Sequence, residues 1–188
     1  AGGQGKRFAG VDKGLVKLAG RPLLAHVFER FRPQVDDIIL NANRNHQIYQ
    51  DYCENLVADD FEGYAGPLAG LVAAMSAAAT PLLAITPCDS PFIPTDMVAK
   101  LRKALSEHDA DIGVVRTGKQ LQPVFALINC SLETSLRIYL VSGQRKIDAW
   151  YASHRVAEVD FGTGIDAFDN INTPEDLATA ENRLKKHD

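Results

Sequence analysis

Five glycines (Gly2, Gly3, Gly5, Gly10 and Gly14) share the first fourteen residues with Lys6, Arg7 and Lys13. Glycine lets a backbone approach a ligand closely and take positive φ, and a run of free N–H groups in such a loop makes an anion-binding concavity. Arg7 and Lys13 add full positive charges, and arginine grips phosphate oxygens through a bidentate fork. This is the chemistry of a loop for a nucleoside triphosphate. A Walker A loop requires G-x-x-x-x-G-K-[ST], but Val11-Asp12 follow Gly10. A dinucleotide fingerprint requires a glycine where Phe8 stands. What remains is G-x-G-x-R with a lysine six positions after the arginine. A plain glycine-rich surface loop is the competing reading.

Asp89 lies just beyond an apolar run, in Pro87-Cys88-Asp89-Ser90-Pro91-Phe92-Ile93-Pro94. Mg²⁺ takes hard oxygen ligands, often one or two carboxylates plus substrate phosphates, so a carboxylate at a strand end near a phosphate loop suits it. The alternative is a turn aspartate accepting local backbone N–H groups. Asn41 and Asp59 also end apolar runs. An aspartate can accept from the N1–H and N2–H₂ edge of guanine, and an asparagine can contact base or ribose. Ordinary strand-end turns account for both equally well. Asn170 and Asn172 flank Ile171, so alternation sends them to one side, where neutral oxygens could meet phosphates or a metal's waters. Their segment also has a structural task, because Thr173-Pro174-Glu175-Asp176 is a capping-box pattern. Arg145 and Lys146 form an exposed basic pair after a helix stop.

These residues need elements to hold them. Apolar periodicity predicts helices over 23–31, 45–54, 67–79, 95–107, 131–141 and 145–152, and a terminal helix from 174. Thr95 is a plausible cap for the fourth, and Pro67 opens the third. Short apolar runs predict strands at 37–41, 56–58, 81–85, 111–115, 123–128 and 156–161. Strands that alternate with helices imply an α/β fold with a mostly parallel central sheet. Ligands bind such sheets at the carboxyl ends of strands, which gathers Asn41, Asp59 and Asp89 beside the glycine loop.

The 188 residues suit one domain, residues 1–188, and 46% hydrophobic with 23% charged residues is an ordinary globular balance. A net charge of −4 gives no bulk reason for binding nucleic acid. Three scattered cysteines argue against a disulfide framework and a cysteine zinc site. The five histidines lack zinc spacing, and no G-x-S-x-G occurs. No apolar run reaches the ~18 residues of a membrane span, and no secretory signal is visible. The chain is expected to be cytoplasmic. A glycine loop of this kind follows a buried strand, so a first strand is expected upstream of residue 1.

Taken together, six segments closely resemble the molybdenum cofactor guanylyltransferases: Ala1-Gly2-Gly3-x-Gly5-x-Arg7, Gly10-x-Asp12-Lys13-Gly14, Asn41-Ala42-Asn43-Arg44, Tyr64-x-Gly66-Pro67-Leu68-Ala69-Gly70, Pro87-Cys88-Asp89-x-Pro91-Phe92-Ile93-Pro94 and Asn170-Ile171-Asn172-Thr173-Pro174-Glu175-Asp176. The resemblance implies a three-layer α/β/α, Rossmann-like nucleotidyltransferase fold. It implies GMP transfer from GTP to molybdenum-molybdopterin, with Mg²⁺, and release of pyrophosphate. By resemblance Ala1, Gly2, Lys13, Asn41, Asp59 and Asp89 bind GTP, with Asp89 also on the metal. Gly3, Arg7 and Gly10 fall on the functional loop, and Arg7, Lys13 and Asp89 carry the catalysis. Asn170, Asn172 and Lys146 fall near the molybdopterin side. Cofactor-insertion proteins and molybdoenzyme chaperones are the implied protein partners, with no nucleic acid or membrane.

The chain departs from the family pattern at Ala9, where glycine is frequent, at Lys146, where arginine is common, and at Asp169, an acidic neighbour of Asn170. The alternatives on the same scaffold are a CTP-using pterin cytidylyltransferase and a sugar-phosphate nucleotidyltransferase. A non-catalytic GTP-binding module and a plain interaction domain are the alternatives from other classes.

Overall fold

The computed structural model of the chain describes residues 8, 11–59, 66–163 and 166–185. Ala1, Gly2, Gly3, Arg7 and Gly10 lie outside these. After a 3-10 turn at Lys13–Leu15, strands β1 (Lys17–Leu18) and β2 (Arg21–Pro22) form a small antiparallel hairpin. Its turn holds Ala19 and Gly20 at φ of 49° and 81°. Helix α1 (Leu23–Phe31) buries Leu23, Leu24, Val27 and Phe31, the stripe that its periodicity predicts. Strand β3 (Leu40–Asn41), helix α2 (His46–Gln50) and strand β4 (Leu56–Val57) follow, with β3 and β4 paired in parallel. Helix α3 (Pro67–Ala77) starts on Pro67 and is buried from Leu68 to Met75, as a helix apolar all round must be.

Strand β5 (Leu82–Ile85) leads to helix α4 (Met97–Glu107), whose N-cap is Asp96 rather than the expected Thr95. Strands β6 (Ile112–Thr117) and β7 (Gln120–Asn129) form a hairpin, and helices α5 (Glu133–Val141) and α6 (Ile147–Tyr151) precede strand β8 (Val156–Asp160). Helix α7 (Pro174–Leu184) begins on the predicted capping box.

Four strands form the main sheet in the order β5-β7-β6-β8. Strands β6 and β8 are parallel, and β7 runs antiparallel to both β5 and β6. Three of the four therefore point one way, and β7 alone runs against them. Its direction comes from a two-residue turn, Gly118-Lys119, between the paired Thr117 and Gln120, with Gly118 at φ 59°. The β6–β7 register shifts between Val114 and Val115, and Pro123 falls in the β7 segment opposite the shift. A bulge is where a ladder tolerates a residue without an N–H.

Alternation along β7 makes the three layers. Phe125 and Leu127 pack with α1 and α4, while Ala126 and Ile128 pack with α3, α5 and α6. A third, smaller cluster joins Val16, Leu18 and Leu23 to Ile171 and Ala180, so α7 closes against the β1–β2 hairpin.

Strands β3 and β5 both border an apolar cavity of about 570 Å³, floored by Leu24, Val27, Phe31 and Val124. Strand β5 pairs only with β7 and β3 only with β4 among the described residues. Each of these strands therefore presents a ladder edge near the cavity.

Candidate active site

Two polar groups lie beyond the carboxyl ends of these strands. The first is built around Lys13. Asp12, itself buried, accepts the Gly14 N–H at 3.3 Å and caps the 3-10 turn that carries Lys13. Asn45 Nδ2 donates to the other Asp12 oxygen at 3.3 Å. Gly14 packs so tightly that a Cβ there would sit 3.0 Å from Tyr49 Oη and 3.2 Å from Cys88 Sγ. The turn is thus pressed onto the segment leaving β5, and Lys13 Nζ reaches Asp89 Oδ2 at 3.2 Å.

Asp89 is 5% exposed and Ser90 fully buried. Ile171 N–H donates to the Asp89 carbonyl at 2.9 Å, and Ser90 Oγ donates to Asn170 Oδ1 at 3.0 Å. Lys13 Nζ also donates to Asn172 Oδ1. Asn172 is steadied by the capping box: Asp176 Oδ2 accepts from the N–H groups of Asn172 and Thr173, both at 2.9 Å, and Thr173 Oγ1 accepts from Asp176 N–H at 3.1 Å. The helix start and the candidate ligand are one structure, so the two readings of that segment do not compete. Burial pushes the Cys88 thiol up, and the negative charges of Asp89 and Asp12 act in the same direction. Cys88 is held as a thiol, a packing group under the site.

The second group is Asn41, Asn43 and Asp59. Asn41 Nδ2 donates to Asp59 Oδ1 at 2.9 Å, and Asn43 Nδ2 donates to Asp59 Oδ2 at 2.8 Å. Gly70, in the first turns of α3, makes room for this arrangement: a Cβ there would lie 2.5 Å from Asn41 Oδ1. All three polar residues line the mouth of the cavity together with Gly66, Pro67, Thr86 and Cys88. Cys88 adjoins Asp89, which links the two groups along one rim.

The structure therefore brings Lys13, Asp89, Asn170 and Asn172 together and joins Asn41 to Asp59. Lys146 is exposed at the N-cap of α6; its carbonyl accepts from Tyr139 Oη at 2.8 Å, and its neighbour Ile147 lines the cavity. Asn43, Gly70 and Ser90 are structural members of the site that sequence reasoning did not single out. For Asn43 the signal was available in the alternation Asn41-Ala42-Asn43, with Ala42 fully buried.

The donor set around Asp89 is hard: one carboxylate and the amide oxygens of Asn170 and Asn172. No cluster of three His, Cys, Asp or Glu side chains able to hold a metal occurs among the described residues. A divalent ion here would rest on a single protein carboxylate and take its remaining ligands from substrate phosphates and water, a set that Mg²⁺ accepts and a structural zinc site does not.

The MobA-like NTP transferase domain family matches residues 1–159. A molybdenum cofactor guanylyltransferase of Shewanella amazonensis is 46% identical over 177 residues, covering 94% of this chain and 90% of that one. Its counterpart in Shewanella halifaxensis is 45% identical over 175 residues, covering 93% and 88%. Among solved structures, the molybdopterin-guanine dinucleotide biosynthesis protein A of Archaeoglobus fulgidus aligns with a TM-score of 0.80 at 25% identity, over 98% of this chain and 96% of that one. The 2-C-methyl-D-erythritol 4-phosphate cytidylyltransferase of Thermus thermophilus shares the fold, with a TM-score of 0.70 at 18% identity over 92% and 94%. The fold is that of the α/β nucleotidyltransferases, and the chain belongs to the molybdenum cofactor guanylyltransferase family.

Proposed function

We propose that the protein transfers GMP from GTP to molybdenum-molybdopterin in the cytoplasm, giving the guanine dinucleotide cofactor and pyrophosphate. The observation that carries this reading is the meeting of Lys13 with Asp89 and Asn172, residues 76 and 159 positions away in sequence. A cation, a buried carboxylate and neutral oxygens at a sheet's carboxyl edge suit a metal-bound triphosphate. The terminal phosphate of the pterin, ionised at pH 7, attacks the α-phosphorus of GTP. A new P–O bond forms, the α–β bridging P–O bond breaks, and pyrophosphate leaves with that electron pair. No side-chain nucleophile is required. Lys13 and Arg7 neutralise the triphosphate, with Ala1, Gly2, Gly3 and Gly10 supplying backbone to it, and Asp89 holds Mg²⁺, whose role when bound is charge neutralisation. Asn170, Asn172 and Lys146 serve the pterin phosphate. Asn41 and Asp59 face the base.

The test compares GTP, CTP, UTP and ATP, each with Mg²⁺, by thermal shift, and then measures pyrophosphate release with and without molybdenum cofactor. A saturating ligand at a hundredfold excess over its Kd stabilises by about 2.7 kcal/mol, so GTP is expected to raise Tm clearly and the others less. A larger shift with CTP points to a cytidylyltransferase, and GTP binding without acceptor-dependent pyrophosphate release points to a non-catalytic module.

A further inference from the structure

The end of the β3–β4 pair departs from a regular ladder. Leu40 N–H donates to Asn55 O and Ala42 N–H to Val57 O, each at 2.9 Å. In a parallel ladder the next rung takes Asp59 N–H to the Ala42 carbonyl. That carbonyl instead accepts from His46 Nε2 at 2.7 Å. The Asp59 N–H donates to Asn43 Oδ1 at 2.9 Å, and the same amide returns a hydrogen bond from Nδ2 to Asp59 Oδ2 at 2.8 Å. One side chain thus replaces a backbone rung and grips the residue it pairs with at two points. With Asn41 Nδ2 on Oδ1, each carboxylate oxygen accepts one amide hydrogen and keeps a lone pair for a ligand.

We propose that Asn43 is a positioning residue for nucleotide selection. It fixes the plane of the Asp59 carboxylate, so that both oxygens meet a base edge carrying two adjacent donors. This rests on the reading that Asp59 faces the base. Guanine presents such an edge in N1–H and N2–H₂. Cytosine and adenine place one donor beside an acceptor, and uracil flanks one donor with two acceptors, so a fixed carboxylate repels part of each. Asn41 holds Oδ1 alone, which leaves the carboxylate free to turn about that contact. Asn43 removes this freedom, and selection between one donor and two depends on it.

The experiment is calorimetric binding of GTP and of inosine triphosphate, which lacks the N2 amino group, each with Mg²⁺. The proteins are wild type, Asn43→Ala and Asn43→Asp, with melting curves for each. Asn43→Asp retains an acceptor for the Asp59 N–H but has no hydrogen to return to Oδ2. Wild type is expected to favour GTP. In both variants GTP binding is expected to weaken about tenfold, the size of one hydrogen bond to a charged group, while inosine triphosphate binding changes less than about twofold. Parallel losses for the two nucleotides, no change in either, or a restored GTP preference in Asn43→Asp would each overturn the proposal. A wild-type protein indifferent to the N2 amino group would sink the assignment of Asp59 to the base itself, a result distinct from all three.

Discussion

Gly70 and Asp89 are defined by what their neighbours require. Glycine inside a helix costs about 1 kcal/mol relative to alanine, and α3 bears that cost because Asn41 occupies the space where a Cβ would be. Gly70→Ala is expected to leave Tm unchanged or slightly raised while GTP affinity drops, since Asn41 must swing off Asp59. Wild-type affinity in that variant would refute a role for Asn41 at the base. Asp89→Asn keeps shape and removes charge. If Asp89 holds the metal, turnover is expected to collapse, with GTP binding in metal-free buffer little altered, because a hard cation strongly prefers carboxylate to amide. A drop in Tm with unchanged activity per folded molecule and unchanged Mg²⁺ dependence would instead make Asp89 a turn residue. Lys13 would then lose its ion-pair partner without consequence for catalysis.

Between the elements, exposed arginines tie strands and helices at their ends. Arg155, just before β8, binds both Asp111 oxygens, at 3.0 and 2.8 Å, and also pairs with Asp109. Its guanidinium holds the Asp111 carboxyl below the usual 3.8. A carboxylate with a depressed folded pKa stabilises the fold above its unfolded pKa, and that contribution is lost as pH falls through the folded value. Asp111→Asn is therefore expected to flatten the fall in stability below about pH 4, read by urea titration at several pH values; an unchanged slope would show that solvent screens the contact completely. The amphipathic α1, the proline-started α3 and the capping box of α7 were legible in the sequence because their signals are local. The reversed β7 was not: Gly118-Lys119 is a weak turn signal, and Pro123 reads as a strand boundary until the bulge opposite it is seen. The β1–β2 hairpin hides behind Ala19, a poor residue for positive φ. In the site, the types of Lys13, Asp89, Asn170 and Asn172 suggested phosphate and metal chemistry. The roles of Ser90 and Asn43 depend on where Asn170 and Asp59 lie, which no local pattern specifies.

At the scale of the molecule, residues far apart in the chain converge on one rim. The cluster of Val16, Leu18 and Leu23 with Ile171 and Ala180 fastens α7 to the first hairpin, and the Lys13–Asn172 contact spans 159 positions. Closing a loop of that length costs on the order of 4 kcal/mol of chain entropy beyond a constant, and nothing local offsets it. The contact gains its return only when the sheet, α4 and α7 already stand in place. The contact therefore depends on the whole frame, from the first hairpin to α7, rather than on any one segment. A chain cut after β8 would keep the Lys13–Asp89 pair but lose Asn172 and the residues of α7 that fasten the first hairpin. Two anchors at such different separations make the lysine a gauge of long-range register: one reads the segment leaving the sheet, the other the start of the helix that closes over the first hairpin.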